Sequence, residues 1–326
     1  MRKGWLAVAV GIVLVVLAGC GKPVAYPLMV GVNPWIGYDP LVLARERRLI
    51  DPTQVKVVEL SSSSQIVRNL HNGVLDAAAL TLDEALRLAH EGAAIHIVAV
   101  LGVSAGGDAV VVRPTITKLS QLKGKRIGVE QSAGGAVVLA RLLQAAGLSH
   151  DDVSLLRIEA SLQEGALRAG WIDAVITFEP TKSRLQAEGY KVLFDSTQMP
   201  DELVEVMVVR ASALAERPDD VIALLMGWER GVEAMRAAPA AAAGLLARGA
   251  NLDPEAYLAS LQGLKFETLE RSTWLLAGNP APLAKQHHGL GRLLLQLGLI
   301  NRPPDWSALL TPQPALQALL QLEAQR

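Results

Sequence analysis

The chain has one cysteine in 326 residues, Cys20. No internal disulfide can form, so the fold rests on its core. An excess of charge of either sign is also lacking. Thirty-one basic residues against 32 acidic ones leave a net charge of −1, with no basic arm or stripe. That balance argues against a nucleic-acid partner. Beyond the N-terminus no uncharged run reaches the roughly 20 residues that a membrane span needs. The remainder therefore reads as a globular body, and hydrophobic residues at 51% suffice for a sizeable core. Catalytic signatures are missing too. There is no phosphate-loop sequence and no His-Glu-x-x-His. His287-His288 is an adjacent pair that does not share a helix face, and it reads as surface. No catalytic residue, metal site or cofactor is expected.

What is present begins at the N-terminus. Met1-Arg2-Lys3 is followed by an uncharged run from Trp5 to Ala18 and then by small residues. Basic, apolar, small is the order of an export signal. Leu17-Ala18-Gly19-Cys20 resembles the lipobox of bacterial lipoproteins. The resemblance implies cleavage of residues 1–19 and attachment of lipid at Cys20. Residues 20–27 then form a short tether. The mature chain of about 300 residues suits two domains or one large one.

From Leu28 on, apolar strands and amphipathic helices alternate. Leu28–Val32, Val55–Leu60, Asp76–Leu80, Ile95–Leu101 and Ala109–Val112 read as strands. A second series holds Arg126–Glu130, Val153–Ile158, Ala174–Thr177, Val192–Phe194 and Glu205–Val209. Asp39 reads as the N-cap of a helix with Pro40 in its first turn. After Ser212 the chain is mostly helical. The alternation predicts an α/β fold with mainly parallel sheets. Two lobes are expected, 28–112 with 210–326 and 113–209, joined near Val112-Arg113 and Val209-Arg210. In the C-terminal helix Leu316, Leu319, Leu320 and Leu322 are expected to pack on the first lobe.

Several short pieces carry a family resemblance. They are Trp35-Ile36-Gly37-Tyr38-Asp39-Pro40-Leu41, Asn72-Gly73-Val74-Leu75-Asp76-Ala77-Ala78, Leu122-Lys123-Gly124-Lys125-Arg126-Ile127-Gly128-Val129 and Ala169-Gly170-Trp171-Ile172-Asp173-Ala174. In this order they resemble the solute-binding proteins of ABC importers, in the nitrate, sulfonate, taurine and thiamine-precursor group. The resemblance implies a two-lobe periplasmic-binding-protein fold, type II-like, with a ligand cleft between the lobes. It also implies a monomer in the cell envelope that delivers a small molecule to an ABC permease and ATPase. A ligand-sensing lipoprotein that presents its closed state to a sensor kinase or cyclase is the alternative.

In open α/β sheets ligands lie beyond the carboxyl ends of strands. That rule selects Trp35, Tyr38, the serines Ser61, Ser62, Ser63 and Ser64, Thr81, Asp83, Ser104 and Asp108 from the first lobe. From the second it selects Gln131, Ser132, Ala133, Gly134, Ser161, Thr177 and Glu179. Two features pull apart. Ser132-Ala133-Gly134 opens a helix, whose free N–H groups favour an anion. Yet these loops hold Asp83, Asp108 and Glu179 and no basic side chain, which favours an amine, amidine or aminopyrimidine stacked on Trp35 or Tyr38.

Overall fold

In the computed structural model, which describes residues 26–326, apolar runs become strands and the amphipathic runs between them become helices. The first series is β1 (Leu28–Val32), α1 (Asp39–Glu46), β2 (Val55–Glu59), α2 (Ser63–His71), β3 (Ala77–Thr81), α3 (Leu82–His90) and β4 (Ile95–Ser104). The second is β5 (Asp108–Val112), β6 (Arg126–Val129), α4 (Ala133–Ala146), β7 (Ser154–Arg157), α5 (Ala160–Arg168), β8 (Ala174–Phe178), α6 (Thr181–Ala187) and β9 (Lys191–Asp195). The chain then returns through β10 (Val204–Arg210) to a helical region. That region includes α7 (Ala211–Glu216), α8 (Pro218–Ala237), α9 (Pro239–Leu246), α10 (Pro254–Ser260), β11 (Leu264–Phe266), α11 (Leu269–Leu276), α12 (Pro282–Gln286), α13 (His288–Gln296), α14 (Trp306–Leu309) and α15 (Gln313–Ala324).

The strands form a six-stranded sheet in the order β11-β4-β10-β3-β1-β2 and a five-stranded sheet in the order β7-β6-β8-β5-β9. This corrects two expectations. The sheets are mixed rather than mainly parallel: β1 pairs in parallel with β2 and β3, but β10 runs antiparallel to both β3 and β4. In the second sheet β5 runs antiparallel to β8 and β9. The lobe boundaries also move. β5 belongs to the second lobe and β10 to the first, so the chain crosses near 105–107 and again between 196 and 203, not at 112/113 and 209/210. The Arg113-Pro114 break ends a strand already inside the second lobe.

The crossings are braced by a buried serine pair. Ser104 and Ser196 lie 2.9 Å apart through their hydroxyls, Ser196 accepts from Gly106 N at 2.6 Å, and Ser104 accepts from Asp108 N at 3.0 Å. Local caps follow the sequence closely. Ser62 accepts from Gln65 N and Ser132 from Gly135 N, while Gly147 ends α4 in the left-handed conformation at φ 65°. At α1 the N-cap is Tyr38, and Asp39 instead accepts from the Tyr257 hydroxyl at 2.6 Å. In α15 the buried face is Ala315, Ala318 and Leu322, whereas Leu316 and Leu320 are exposed. His287 is buried rather than on the surface, and only His288 is exposed. Cys20 and the export signal lie outside the described residues.

Candidate functional site

Both lobes turn the same kind of edge toward one cleft. The carboxyl ends of β1 and β3 supply Asn33, Trp35, Tyr38 and Thr81; those of β6 and β8 supply Glu130, Thr177 and Phe178. Strands that run the other way bring their amino ends to the same edges. Glu205 therefore sits opposite Thr81, and Asp108 opposite Phe178. The resulting chamber has a volume of about 50 Å³. A single water needs about 10–15 Å³ on this measure, so the chamber suits a compact polar head group rather than a whole organic solute.

Trp35 is the divider between the lobes. It is 4% exposed and meets the edge of Phe178 at 5.8 Å and 87°. Glycines make room for it. A Cβ on Gly37 would lie 2.1 Å from the indole nitrogen, and one on Gly107 would lie 2.3 Å from the ring. What approaches the Gly37 backbone is thus the Trp35 ring.

The chamber is rich in buried acids. Tyr38 donates its hydroxyl to Glu205, and both are buried. Glu84 accepts from Thr81 N at 3.2 Å. Glu130, from the second lobe, accepts from Ser64 N of the first at 2.9 Å. Burial pushes Asp108 up to about 7 and Glu84 up to about 8, the latter also by the neighbouring charges of Asp83 and Glu130. Glu205 and Glu130 are raised by the same desolvation. Several polar atoms in the chamber and just behind its wall have no partner among the described residues. They are Trp35 Nε1, Thr81 Oγ1, Gln163 Oε1 and both carboxylate oxygens of Asp83. Buried orphans of this kind are costly unless something binds them.

The residues picked out by sequence fall into three groups. Trp35, Tyr38, Thr81, Asp108, Ser132, Gly134 and Thr177 line the chamber. Gln131, Ser132 and Ala133 line a wider space of about 370 Å³ at its mouth. The others lie elsewhere. Ser62 is spent on capping α2, and its neighbour Ser63 lines the chamber instead. Ser161 is exposed on the first turn of α5, and the residue that reaches inward is Gln163. Asp83 sits fully buried behind the wall, beside Gly134. Glu179 accepts from Ser183 N at 3.1 Å and pairs with Lys182 at 3.3 Å, so it braces α6.

Sequence reasoning missed Asn33, Glu84, Glu130, Gln163, Phe178 and Glu205. The signal for Glu205 was available: it is a lone charge in the apolar run Val204–Val209.

A family model described as the NMT1-like family matches residues 21–248. A Brachyspira hyodysenteriae protein named as an ABC transporter periplasmic binding protein is 24% identical over 237 residues, which is 67% of this chain and 68% of that one. The taurine-binding periplasmic protein of Escherichia coli is 27% identical over 166 residues, 50% of this chain and 52% of the relative. The match therefore spans about half the length of that second relative. Among solved structures, the alkanesulfonate-binding protein of Xanthomonas axonopodis pv. citri bound to MOPS superposes with a TM-score of 0.74 at 19% identity, covering 91% of this chain and 99% of that one. A desulfurization enzyme shares the fold with a TM-score of 0.67 at 18% identity, covering 91% of this chain and 99% of the enzyme. The fold is thus that of periplasmic binding proteins, and it serves both binding and catalysis.

Proposed function

The chain belongs to the NMT1-like family, and on that premise we propose that it is an extracytoplasmic solute-binding lipoprotein of an ABC importer. It captures a small nitrogen-bearing cation by closing its two lobes, then hands it to a permease. The observation that carries the ligand class is the chamber. Glu84, Asp108, Glu130 and Glu205 converge on it, and among the described residues no basic side chain lines it. A solute with several N–H donors would bind the orphaned Thr81 and Gln163 oxygens and displace protons from the raised carboxyls. Each charge-assisted hydrogen bond of this kind is worth about 1.5–3 kcal/mol.

Binding rather than turnover is favoured by the relatives, which are named as binding proteins. The anchor at Cys20 belongs to the same proposal. Cys20→Ala should abolish lipid labelling, and unchanged processing and membrane retention would refute the anchor.

Calorimetry with 1,4-diaminobutane and with an alkanesulfonate of equal length tests the ligand class. The diamine should bind, and Asp108→Asn should weaken it by about tenfold to a hundredfold. Tight sulfonate binding, undiminished in Asp108→Asn, would overturn the cation reading.

A further inference from the structure

The loop that carries Trp35 and Tyr38 sits between two cores. Trp35 and Tyr38 pack into the core of the first sheet. Ile36, between them, packs into a separate one, with Leu43 of α1, Met235 of α8, Ala243 and Leu246 of α9 and Tyr257 of α10. A single 3₁₀ turn, Ile36–Tyr38, makes this division possible, because its neighbouring side chains leave in different directions. Ile36 does not line the chamber. The cap made by α9 and α10 therefore holds the loop from the side that a ligand does not touch.

Two polar contacts complete the hold. Tyr257 is fully buried, and its hydroxyl donates to Asp39 at 2.6 Å. Asp39 follows Tyr38 directly, so this bond fixes the loop where it enters α1. Gly263, just after α10, accepts from Ala105 N at 2.8 Å and Gly107 N at 3.1 Å. Gly107 is the residue whose missing side chain admits the Trp35 ring. The cap thus fixes both the backbone of the loop and the seat of its indole.

The same cap is held by the other lobe. Arg184, on α6, donates through Nε to Glu164 at 2.6 Å and through Nη2 to Thr181 Oγ1 at 2.9 Å, both within the second lobe. Those partners orient its planar fork. Its Nη1 crosses to the first lobe and donates to Ala250 O at 2.6 Å. Ala250 is buried in the core that holds Ile36.

We propose that the α9–α10 cap is a positioning element for the chamber wall, with Tyr257 as its positioning residue, and that Arg184 couples it to closure. When the second lobe closes, Arg184 secures the cap, and the cap secures Trp35 and Tyr38 through Ile36, Asp39 and Gly107. The coupling is reciprocal: a firmly held loop favours the closed form. This rests on the two-lobe binding reading above and is independent of the ligand's charge.

The test has one arm without ligand and one with it. Indole N–H resonances are recorded on the empty mature chain, and the Trp35 signal is identified by its loss in Trp35→Phe. Tyr257→Phe and Arg184→Gln should each shift or broaden that signal. Ile172→Ala, a core truncation in the second lobe, should lower the melting temperature and leave the signal in place. Calorimetry then uses 1,4-diaminobutane and butanesulfonate. Each single variant should weaken whichever probe binds by about two- to tenfold. The double variant should lose less than the product of the two, as expected for residues acting through one element. If Tyr257→Phe lowers melting but moves neither the Trp35 signal nor affinity, Tyr257 is a structural brace and the proposal fails. If the two effects multiply independently, the coupling through Arg184 fails. If neither probe binds the wild type, the choice of ligand class above fails, and the Trp35 signal still decides the positioning role.

Discussion

The two lobes furnish the chamber in different ways. The first lobe's wall is largely closed on itself. Asn33 donates to Ser63 at 2.7 Å, Tyr38 donates to Glu205, and Glu84 accepts from Thr81 N, all within that lobe. The second lobe's polar groups reach across the gap or bond weakly. Glu130 accepts from Ser64 of the opposite lobe, Phe178 meets Trp35 there, and Gln163 Oε1 has no partner. The first lobe is therefore hydrogen-bonded within itself yet keeps Trp35 Nε1 and Thr81 Oγ1 free for a ligand, and the second is a clamp completed by closure. Asp108 stands at the junction, held by Ser104 beside the crossing.

The most drastic way to break this comparison is to remove the contact on which closure turns. Trp35 is buried between the lobes, so Trp35→Ala should cost about 3–5 kcal/mol, the usual range for truncating a buried aromatic. Urea denaturation measures it, and small-angle scattering should show the lobes apart. A loss below about 1 kcal/mol with unchanged scattering would mean that closure does not depend on this ring.

Much of this was legible in sequence. Strand runs such as Ala77–Leu80 are buried on both faces, so they stand out as unbroken apolar segments, and their bounds match the structure closely. Caps are local, so Ser132 and Gly147 could be read where they stand. Pairing is not local. Nothing near Asp108 or Val204 says that the strand beginning there joins the other lobe's sheet, so the boundaries slipped by the length of one strand. The same gap hid half the chamber. A rule that looks only beyond carboxyl ends finds Thr81 and Thr177, but it cannot find Glu205, which antiparallel pairing brings in from an amino end. Glu179 satisfied the rule and fails in space because Lys182 and Ser183, one turn on, draw its carboxylate into α6.

A smaller perturbation separates the acids of the chamber from those on the second lobe's surface. Burial raises Asp83 to about 6, Asp108 to about 7 and Glu84 to about 8. On the outer surface, hydrogen bonds from Ser149 lower Asp152 to about 2, and the Arg126 guanidinium lowers Asp173. The signs then differ. Between about pH 4 and 8 the folded chamber holds more protons than the unfolded chain, so stability falls as pH rises through that window. The surface acids stabilise above about pH 4, and their contribution is lost only below it. The ligand-free protein should thus melt lower at pH 8 than at pH 5. Tyr38→Phe removes the donor to Glu205 and should cost about 1–3 kcal/mol, the range for leaving a buried acceptor unsatisfied. Melting that rises from pH 5 to pH 8 would show that the chamber acids are charged and stabilised in the empty protein.

The finest test concerns the clamp alone. Gln163 is 1% exposed, its Oε1 has no partner, and its Nε2 makes only a 3.4 Å contact to Ile158 O. Leucine has a similar volume and removes the orphaned acceptor along with that weak bond. Exchanging a poorly satisfied polar group for an apolar one of like shape is close to neutral or mildly stabilising. Gln163→Leu should therefore leave the melting temperature of the empty protein unchanged or slightly raised. Its effect should appear on binding, because the amide oxygen is what the second lobe offers an N–H donor. Affinity for the amine should drop about two- to tenfold, with compaction on binding retained. If stability falls and affinity does not, Gln163 is a brace of the second lobe. Recognition would then rest on the first lobe, Asp108 and Glu130.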